Sequence, residues 1–214
     1  MDTQVLAEVR RLTAPEDEPL VAARDRATPA LELPSPEVGA LLRWAARTCT
    51  ARTVVEVGSA GGVTGLWLLP GLADRGVLTS IEPDPHAHGL AEQAHEQART
   101  TERVRSILGD PETVLPRLSD GAYDLVVFQV VPVRVGVLDH AHRLLRAGGM
   151  LVTRGVLRPG EHAEEEARFL TALVEDERFG AVVLPLDDGV VLATRRADPE
   201  DEQGERQREG AGGL

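Results

Sequence analysis

Lysine is absent from the 214 residues, so all 23 basic side chains are arginines. This absence excludes a Schiff-base lysine, a phosphate-loop lysine and a lysine general base. Cys49 is the single cysteine, which excludes an internal disulfide and a cysteine-based zinc cluster and fits a reducing compartment. We therefore expect a cytoplasmic protein.

Aromatic residues, positive charge and long apolar runs are also scarce. Aromatics make up 3% of the chain and the formal net charge is -12, so neither base stacking nor counterion release favours nucleic acid as a partner. No apolar run approaches the ~18 residues of a membrane span, and the N-terminus lacks the basic and apolar regions of a signal peptide. Composition predicts an acidic globular domain that binds neither nucleic acid nor a membrane.

Short runs rich in Val, Leu and Ile alternate with longer amphipathic or polar stretches, which predicts an α/β fold around a mostly parallel sheet. Near the C-terminus, the runs 180–186 and 189–194 are separated only by Asp187 and Asp188. Two residues are too few for a helical crossover, so this pair predicts an antiparallel hairpin. The predicted parallel strands are Thr53–Val57, Val77–Glu82, Val104–Leu108, 124–131 and 150–154.

The chain divides into three parts. Residues 1–34 carry Val5, Leu6, Val9 and Leu12 at helical spacing and predict an N-terminal helical segment. Residues 35–196 form the main domain, which opens on a helix with the N-cap signal Ser35-Pro36-Glu37. Residues 197–214 hold six acids, two arginines and four glycines, which predicts a disordered acidic tail.

A glycine-rich turn follows the first predicted strand, in Gly58-Ser59-Ala60-Gly61-Gly62, and a helix follows the turn. Such a turn lets backbone amides approach an anionic ligand, although it also occurs as a tight turn without one. Glu82 ends the next strand, 20 residues beyond Gly62, where a carboxylate can accept both hydroxyls of an adenosine ribose. The alternative is a solvated acid before a turn. Asp110, after the third strand, either reaches the adenine amino group or caps the next helix.

NAD and S-adenosylmethionine both fit a glycine loop followed by a ribose acid. Glu56, two residues before the loop, would repel a pyrophosphate but suits the ammonium of a methionine moiety. The glycine spacing also differs from the G-x-G-x-x-G of dinucleotide binders. Thr64, at the start of the helix, can donate a hydrogen bond to the methionine carboxylate. These residues favour S-adenosylmethionine as the cofactor.

The region from about residue 35 to 195 resembles the class I S-adenosylmethionine-dependent O-methyltransferases of the catechol and caffeoyl-CoA type, especially their small bacterial members. The segments that carry the resemblance, in the family's order, are Ser35-Pro36-Glu37-Val38, Val55-Glu56-Val57-Gly58, Leu78-Thr79-Ser80-Ile81-Glu82, Gly109-Asp110, Tyr123-Asp124-Leu125-Val126, Leu144-Leu145-Arg146-Ala147-Gly148-Gly149 and Leu184-Pro185-Leu186-Asp187-Asp188-Gly189.

The resemblance implies a Rossmann-like sheet with helices on both faces, a homodimer, and methyl transfer to a hydroxyl of a small-molecule acceptor. It implies that residues 35–196 are the methyltransferase domain. Ala60 replaces a common glycine, which is tolerated if φ stays negative there. The cofactor-binding residues that follow from the resemblance and from the motifs are Pro34, Glu56, Gly58, Ser59, Gly62, Thr64, Glu82, Asp110 and Gln129.

Members of this family usually bind a divalent cation through an Asp that ends the fourth strand and an Asp-Asn pair that ends the fifth. Gln129, Arg154 and Gly155 stand at those positions, and Pro132 replaces a lysine that is common in the family. A hard cation requires oxygen ligands and is repelled by a guanidinium. We therefore expect no divalent metal.

Gln129 and Arg154 are the candidate catalytic residues. A buried amide at the carboxyl end of a central strand stands where α/β sheets bind ligands, although Gln129 could instead be a core residue bound by backbone. Arg154 could replace the metal by polarising an acceptor oxygen, or could simply be a solvent-facing arginine at a strand end. His140 and His142 are candidate bases that we expect on the exposed side of a helix.

Three functions remain open from the sequence. Metal-independent O-methyl transfer is favoured, because methyl transfer from a sulfonium needs mainly an in-line approach. A catalytically inactive module that binds S-adenosylmethionine in a regulatory or scaffold role is the alternative, supported by the replaced metal ligands. A dinucleotide-dependent oxidoreductase is disfavoured by Glu56 and the loop spacing. Trp44 and Trp67 are expected in the core.

Overall fold

The protein is described by a computed structural model that covers residues 3–129 and 136–197. Seven strands form one sheet in the order β3-β2-β1-β4-β5-β7-β6. Neighbours from β3 through β5 pair in parallel, whereas β7 is antiparallel to both β5 and β6. The predicted α/β class and the C-terminal antiparallel hairpin are confirmed. The strands are β1 Thr53–Val57, β2 Val77–Glu82, β3 Val104–Leu108, β4 Tyr123–Phe128, β5 Leu145–Arg154, β6 Phe179–Leu184 and β7 Val190–Arg195.

The helices that follow Ser35 and Asp84 are capped by these side chains, which accept a hydrogen bond from the first turn, and of these two caps only Ser35 was predicted. The Ser35 hydroxyl accepts a hydrogen bond from the Val38 amide at 3.2 Å, and the Asp84 carboxylate accepts one from the Ala87 amide at 2.8 Å. A helix at residues 18–26 was not predicted. The α-helices are α1 Thr3–Thr13, α2 Glu18–Arg26, α3 Pro36–Thr48, α4 Val63–Leu68, α5 Pro85–Gln97, α6 Pro111–Val114, α7 Val137–Leu144 and α8 Ala163–Glu175.

Core side chains cover both faces of the sheet, as parallel strands require. Val54 and Val55 are adjacent on β1 and belong to different core clusters, since alternate residues of a strand point to opposite faces. Helices α3 and α4 contribute to the cluster around Val54, and α7 and α8 contribute to the cluster around Val55. None of the described helices is long and apolar enough to span a bilayer.

Several predicted boundaries shift. Strand β4 ends at Phe128 rather than at residue 131, and the Gln129 amide makes a last 2.8 Å bond to the Val57 carbonyl. Strand β5 begins at Leu145, because a register shift against β4 absorbs the turn around Gly148. The hairpin loop spans residues 185–189 rather than two residues. Residues 130–135, with Pro132, and the predicted tail from residue 198 onward lie outside the described residues.

The two tryptophans lie in different environments. Trp67 is 2% exposed, which confirms its predicted place in the core. Trp44 is 55% exposed, so the same prediction for Trp44 is wrong. The buried stripe of α3 is Val38, Leu42 and Ala45, and Trp44 projects from another side of that helix.

Gly62 is required by packing as well as by backbone conformation. Its φ is +91°, and a Cβ there would lie 2.8 Å from Ala94 Cβ and 3.0 Å from Ala91 Cα on α5. Gly121 has a φ of +61°, but a Cβ there would meet nothing within 4 Å. Comparing alanine at the two positions therefore separates the cost of a left-handed backbone from the cost of steric overlap.

We expect Gly62→Ala to lower the free energy of unfolding by more than Gly121→Ala. Both changes incur roughly 1 to 2 kcal/mol for a left-handed alanine, and only the first adds roughly 1 to 3 kcal/mol of overpacking against α5. Urea unfolding of the two variants and the wild type measures the difference. Equal losses for the two variants would contradict the packing role of Gly62.

Candidate active site

A cavity of about 400 Å³ opens at the carboxyl ends of β1, β2 and β4. Gly58 follows β1, Glu82 ends β2 and Gln129 follows β4, so their strands bring all three to one edge of the sheet. The strand order reverses between β1 and β4, which is where open α/β sheets bind ligands. The cavity is lined by Ala30, Leu31, Glu32, Gly58, Ala60, Glu82, Gln129, Arg158, Pro159, Gly160, Glu161, His162 and Glu166.

The loop after β1 turns through left-handed backbone conformations. Gly58 has a φ of +86° and its amide donates to the Ile81 carbonyl at 2.8 Å, which fixes the loop against β2. Ala60 has a φ of +48°, so the expectation of a negative φ there is wrong. The chain must reverse within Ala60–Gly62 to enter α4, and three consecutive left-handed residues make that turn. A left-handed alanine costs about 1 to 2 kcal/mol.

Glu82 holds the glycine loop in place. One carboxylate oxygen accepts hydrogen bonds from the Ser59 amide at 2.8 Å and the Ser59 hydroxyl at 2.7 Å, and the other accepts one from the Asp84 amide at 3.1 Å. Glu82 is 6% exposed and lines the cavity. The predicted ribose acid therefore lies at the cavity wall, and Ser59 is hydrogen-bonded to it.

Glu56 and Thr64 are fully buried on either side of the loop. The two carboxylate oxygens of Glu56 and the hydroxyl of Thr64 form no hydrogen bond with any described residue. The pKa of Glu56 is raised to about 8: burial raises it most, the nearby Ser80 hydroxyl lowers it, and the charge of Glu82 raises it. An acceptor and a donor left unpaired beside an anion-binding loop match the ammonium and carboxylate of an amino acid moiety.

Six of the predicted cofactor-binding residues are absent from the cavity lining: Pro34, Glu56, Ser59, Gly62, Thr64 and Asp110. The Pro34 carbonyl accepts a hydrogen bond from Arg24 at 2.7 Å, and Gly62 packs against α5. Asp110 is exposed and caps α6, where its carboxylate accepts from the Glu112 amide at 2.9 Å. The capping alternative for Asp110 is thus present in the structure, and adenine recognition by Asp110 stays a prediction.

The structure brings Gln129 and Arg154 together. Arg154 is 4% exposed, and its Nε donates to Gln129 Oε1 at 2.5 Å while a second guanidinium nitrogen donates to the Glu32 carbonyl. A solvent-facing Arg154 and a Gln129 bound only by backbone are therefore both wrong. Burial lowers the pKa of Arg154, and the charges of Asp187 and Glu32 oppose that shift.

The positions that hold the cation in the family thus form a guanidinium–amide pair. A divalent ion does not fit this donor set, because Gln129 supplies a single amide oxygen that Arg154 already occupies. Among the described residues, no group of His, Cys, Asp and Glu side chains could hold a metal. Gly155, at the last ligand position, contributes no side chain.

Five charged or titratable residues that line the cavity were missed by sequence reasoning: Glu32, Arg158, Glu161, His162 and Glu166. Glu32 pairs with Arg158, whose guanidinium also lies 3.7 Å from Asp188. His162 and Glu166 flank the start of α8 and line the cavity with them. In the sequence, this acidic stretch is indistinguishable from the solvated first turn of a helix.

The histidines predicted as bases lie elsewhere. His140 and His142 on α7 are half-buried rather than exposed, and neither lines the cavity. The His142 ring packs edge-on against Phe179, with the ring centroids 5.9 Å apart. His142 thus belongs to the packing between α7 and β6.

Comparison with known proteins agrees with this geometry. The sequence pattern of the O-methyltransferase family matches residues 2–196. The chain belongs to this family. A provisionally named O-methyltransferase of Mycobacteroides abscessus is 40% identical over 192 residues, which cover 84% of this chain and 89% of that protein.

Solved structures share the fold of this O-methyltransferase. A protein from Corynebacterium glutamicum is 28% identical and superposes with a TM-score of 0.82 over 91% of this chain and 97% of its own. The Bacillus cereus O-methyltransferase in complex with SAH is 21% identical, with a TM-score of 0.82 over 91% of this chain and 98% of its own. The predicted class I S-adenosylmethionine-dependent O-methyltransferase family and its Rossmann-like fold are confirmed.

Glu56 should make the stability of the enzyme depend on pH. Its pKa is about 8 in the folded state against 4.5 as the ordinary value, so the folded state binds more protons between these limits. The contribution of Glu56 to the free energy of unfolding is complete below pH 4.5 and falls by roughly 1.4 kcal/mol per pH unit as the pH rises toward 8.

We expect Glu56→Gln to lose less stability than the wild type between pH 5 and pH 8, because an amide does not ionise. Urea unfolding across this range measures the two slopes. Glu96→Gln, at an exposed position on α5, is the control and should follow the wild type. Parallel slopes for the wild type and Glu56→Gln would show that Glu56 titrates normally.

Proposed function

We propose that this O-methyltransferase binds S-adenosylmethionine between β1, β2 and β4 and methylates a hydroxyl of a small molecule without a divalent cation. The observation that carries the cofactor assignment is the fully buried, unpaired carboxyl group of Glu56 beside the glycine loop. A dinucleotide is disfavoured, because Glu56 and Glu82 would face its pyrophosphate with two acidic groups.

The methionine and ribose parts of the cofactor have residues of matching chemistry. Glu56 would pair with the ammonium group and Thr64 would donate to the carboxylate, which satisfies two groups that the protein leaves unpaired. Glu82 would accept the ribose hydroxyls, and the left-handed loop from Gly58 allows the backbone to approach closely. When bound, the cofactor supplies a methyl group activated on a sulfonium.

Arg154 supplies the positive charge that a metal supplies elsewhere in the family. It is buried at the end of β5, hydrogen-bonded to a residue of the cavity wall, and held without freedom to rotate toward solvent. A fixed charge in a desolvated site stabilises an oxygen that is losing its proton more than a mobile charge in water does. Arg154 would thus assist the acceptor oxygen through Gln129 or directly.

Calorimetric titration with S-adenosylmethionine, S-adenosylhomocysteine and NAD tests the cofactor assignment. Binding of the first two and not of NAD is expected, and tight NAD binding would overturn it. Transfer of labelled methyl groups to phenolic and aliphatic hydroxyl compounds then tests catalysis. Cofactor binding without transfer to any acceptor would favour the alternative, an inactive module with a regulatory or scaffold role.

We expect methyl transfer to be insensitive to excess chelator and to added magnesium, because the ligand positions offer a guanidinium and an amide. Arg154→Ala should lower the transfer rate by roughly 10² to 10³, as loss of a preorganised charge at an oxyanion does. Arg24→Ala is the matched control, since Arg24 also holds the segment around Glu32, through the Pro34 carbonyl, but does not line the cavity and carries no bond to Gln129. Equal losses of transfer rate in the two variants would indicate that Arg154 only holds the segment around Glu32 in place.

We also propose that the protein is a homodimer and that α1 contributes to the interface. Val5, Val9 and Leu12 on α1 are 52%, 38% and 61% exposed, and Trp44 on the neighbouring α3 is 55% exposed. A helix of 11 residues is too short to be stable without packing. These side chains offer one apolar surface to a second copy.

Val9→Glu with Leu12→Glu should convert the dimer to a monomer, because two charges would be buried at the interface. Light scattering coupled to size exclusion measures the mass at several concentrations. The control is Glu8→Gln, an exposed charge on the same helix. A wild type that is monomeric at high micromolar concentration would contradict the proposal.

A further inference from the structure

Glu166, in the first turn of α8, is a buried carboxyl group without a partner. It is 2% exposed, and neither of its oxygens forms a hydrogen bond within the described part of the chain. It nevertheless lines the same cavity as Gly58 and Gln129. A desolvated acid costs free energy unless something satisfies it, so its oxygens are available to a group that enters the cavity.

The location of Glu166 differs from that of the cofactor residues. Glu82 ends β2 and Gln129 follows β4, whereas α8 follows β5, the next strand beyond β4. Glu166 lines the cavity together with Arg158 and His162, which also follow β5 in the chain. With the cofactor held by Gly58 and Glu82 as proposed, this part of the lining would be left to the acceptor.

Charged groups surround Glu166 without forming a hydrogen bond to its carboxyl oxygens. Arg158 and His162 attract its negative charge, Glu32 repels it, and the Arg158 backbone amide also lowers its pKa. Arg158 is already committed to Glu32 and lies near Asp188, and His162 is exposed. Burial raises the pKa of Glu166, and Arg158 and His162 oppose that shift, which moves the group toward the range of a useful base.

Other residues of the cavity are poorly suited to take a proton. Glu82 already accepts three hydrogen bonds from Ser59 and Asp84, and Glu32 is paired with Arg158. A glutamine amide and a guanidinium are not bases. Glu161 and His162 are exposed to solvent. Of these two, His162 is the competing base that an experiment must distinguish from Glu166.

We propose that Glu166 is a catalytic residue that binds the acceptor hydroxyl and takes its proton during methyl transfer, an inference that rests on the proposed function. The acceptor oxygen forms a bond to the methyl carbon while the carbon–sulfur bond breaks. The electron pair of that bond goes to sulfur, which becomes a neutral thioether. The hydroxyl proton passes to Glu166, so charge and atoms balance.

The position of Glu166 can be tested without knowing the acceptor. Sinefungin carries an amine where S-adenosylmethionine carries the transferable methyl, so its affinity relative to that of S-adenosylhomocysteine reports a negative charge facing that point. We expect Glu166→Gln to lower this affinity ratio at least threefold. Glu164→Gln, an exposed acid in the same turn of α8, should leave the ratio unchanged. An unchanged ratio in Glu166→Gln would overturn the proposed position.

The proton-acceptor role is tested by kinetics on the full-length enzyme with an acceptor from the hydroxyl panel. We expect Glu166→Gln to lower kcat about 10²-fold, with the KM for S-adenosylmethionine within threefold of the wild-type value. The wild-type rate should rise with pH as Glu166 ionises, and the Glu166→Gln rate should lack that rise. Glu166→Asp should restore part of the rate.

Two outcomes would overturn this role. Wild-type turnover in Glu166→Gln would do so, as would loss of the pH-dependent rise in His162→Gln with retention in Glu166→Gln. If the wild type binds the cofactor but methylates no acceptor, the proposed function fails and the proton-acceptor role falls with it. The sinefungin ratio still decides independently whether Glu166 faces the methyl position.

Discussion

A buried guanidinium holds the active site of this methyltransferase together. Arg154 remains charged at 4% exposure because Gln129 Oε1 and the Glu32 carbonyl accept hydrogen bonds from its guanidinium. Those two partners belong to the end of β4 and to the segment that precedes α3. The hydrogen bonds of this one buried charge therefore hold three parts of the chain around the cavity: the end of β5, the residue after β4 and the segment before α3.

Three glutamates near the cavity show how burial alone leaves the role of a carboxyl group undecided. Glu56, Glu82 and Glu166 are each at most 6% exposed. Glu82 is satisfied by amides and a hydroxyl of the protein itself, whereas the other two have no hydrogen-bond partner among the described residues. The difference in partners separates an acid that also shapes the loop from two acids whose oxygens have no partner in the described protein.

The sequence predicted those parts of the structure that local patterns determine. The limits of β1, β2 and β3, the Ser35 cap and the placement of Glu82 all follow from hydrophobic runs, turn residues and a spacing of about 20 residues. These features need no knowledge of distant contacts.

Features that depend on distant contacts were missed or wrong. Arg154 and Arg158 meet Glu32 across 122 and 126 positions of sequence, and no periodicity reports such a pairing. Glu166 has the same sequence signature as its exposed neighbour Glu164, because the cavity rather than the helix distinguishes them. The left-handed Ala60 reflects the sharp turn into α4, which overrides the preference of the residue type.

The tip of the C-terminal hairpin links the edge of the sheet to the cavity. Asp187 accepts a hydrogen bond from the Ser35 amide at 2.7 Å, and Asp188 lies 3.7 Å from Arg158. Strands β6 and β7 are the outermost pair at that side of the sheet. We therefore expect that fraying of this strand pair also loosens the cavity wall. A ligand bound in the cavity would then slow hydrogen exchange of backbone amides at the sheet edge, although it does not touch them.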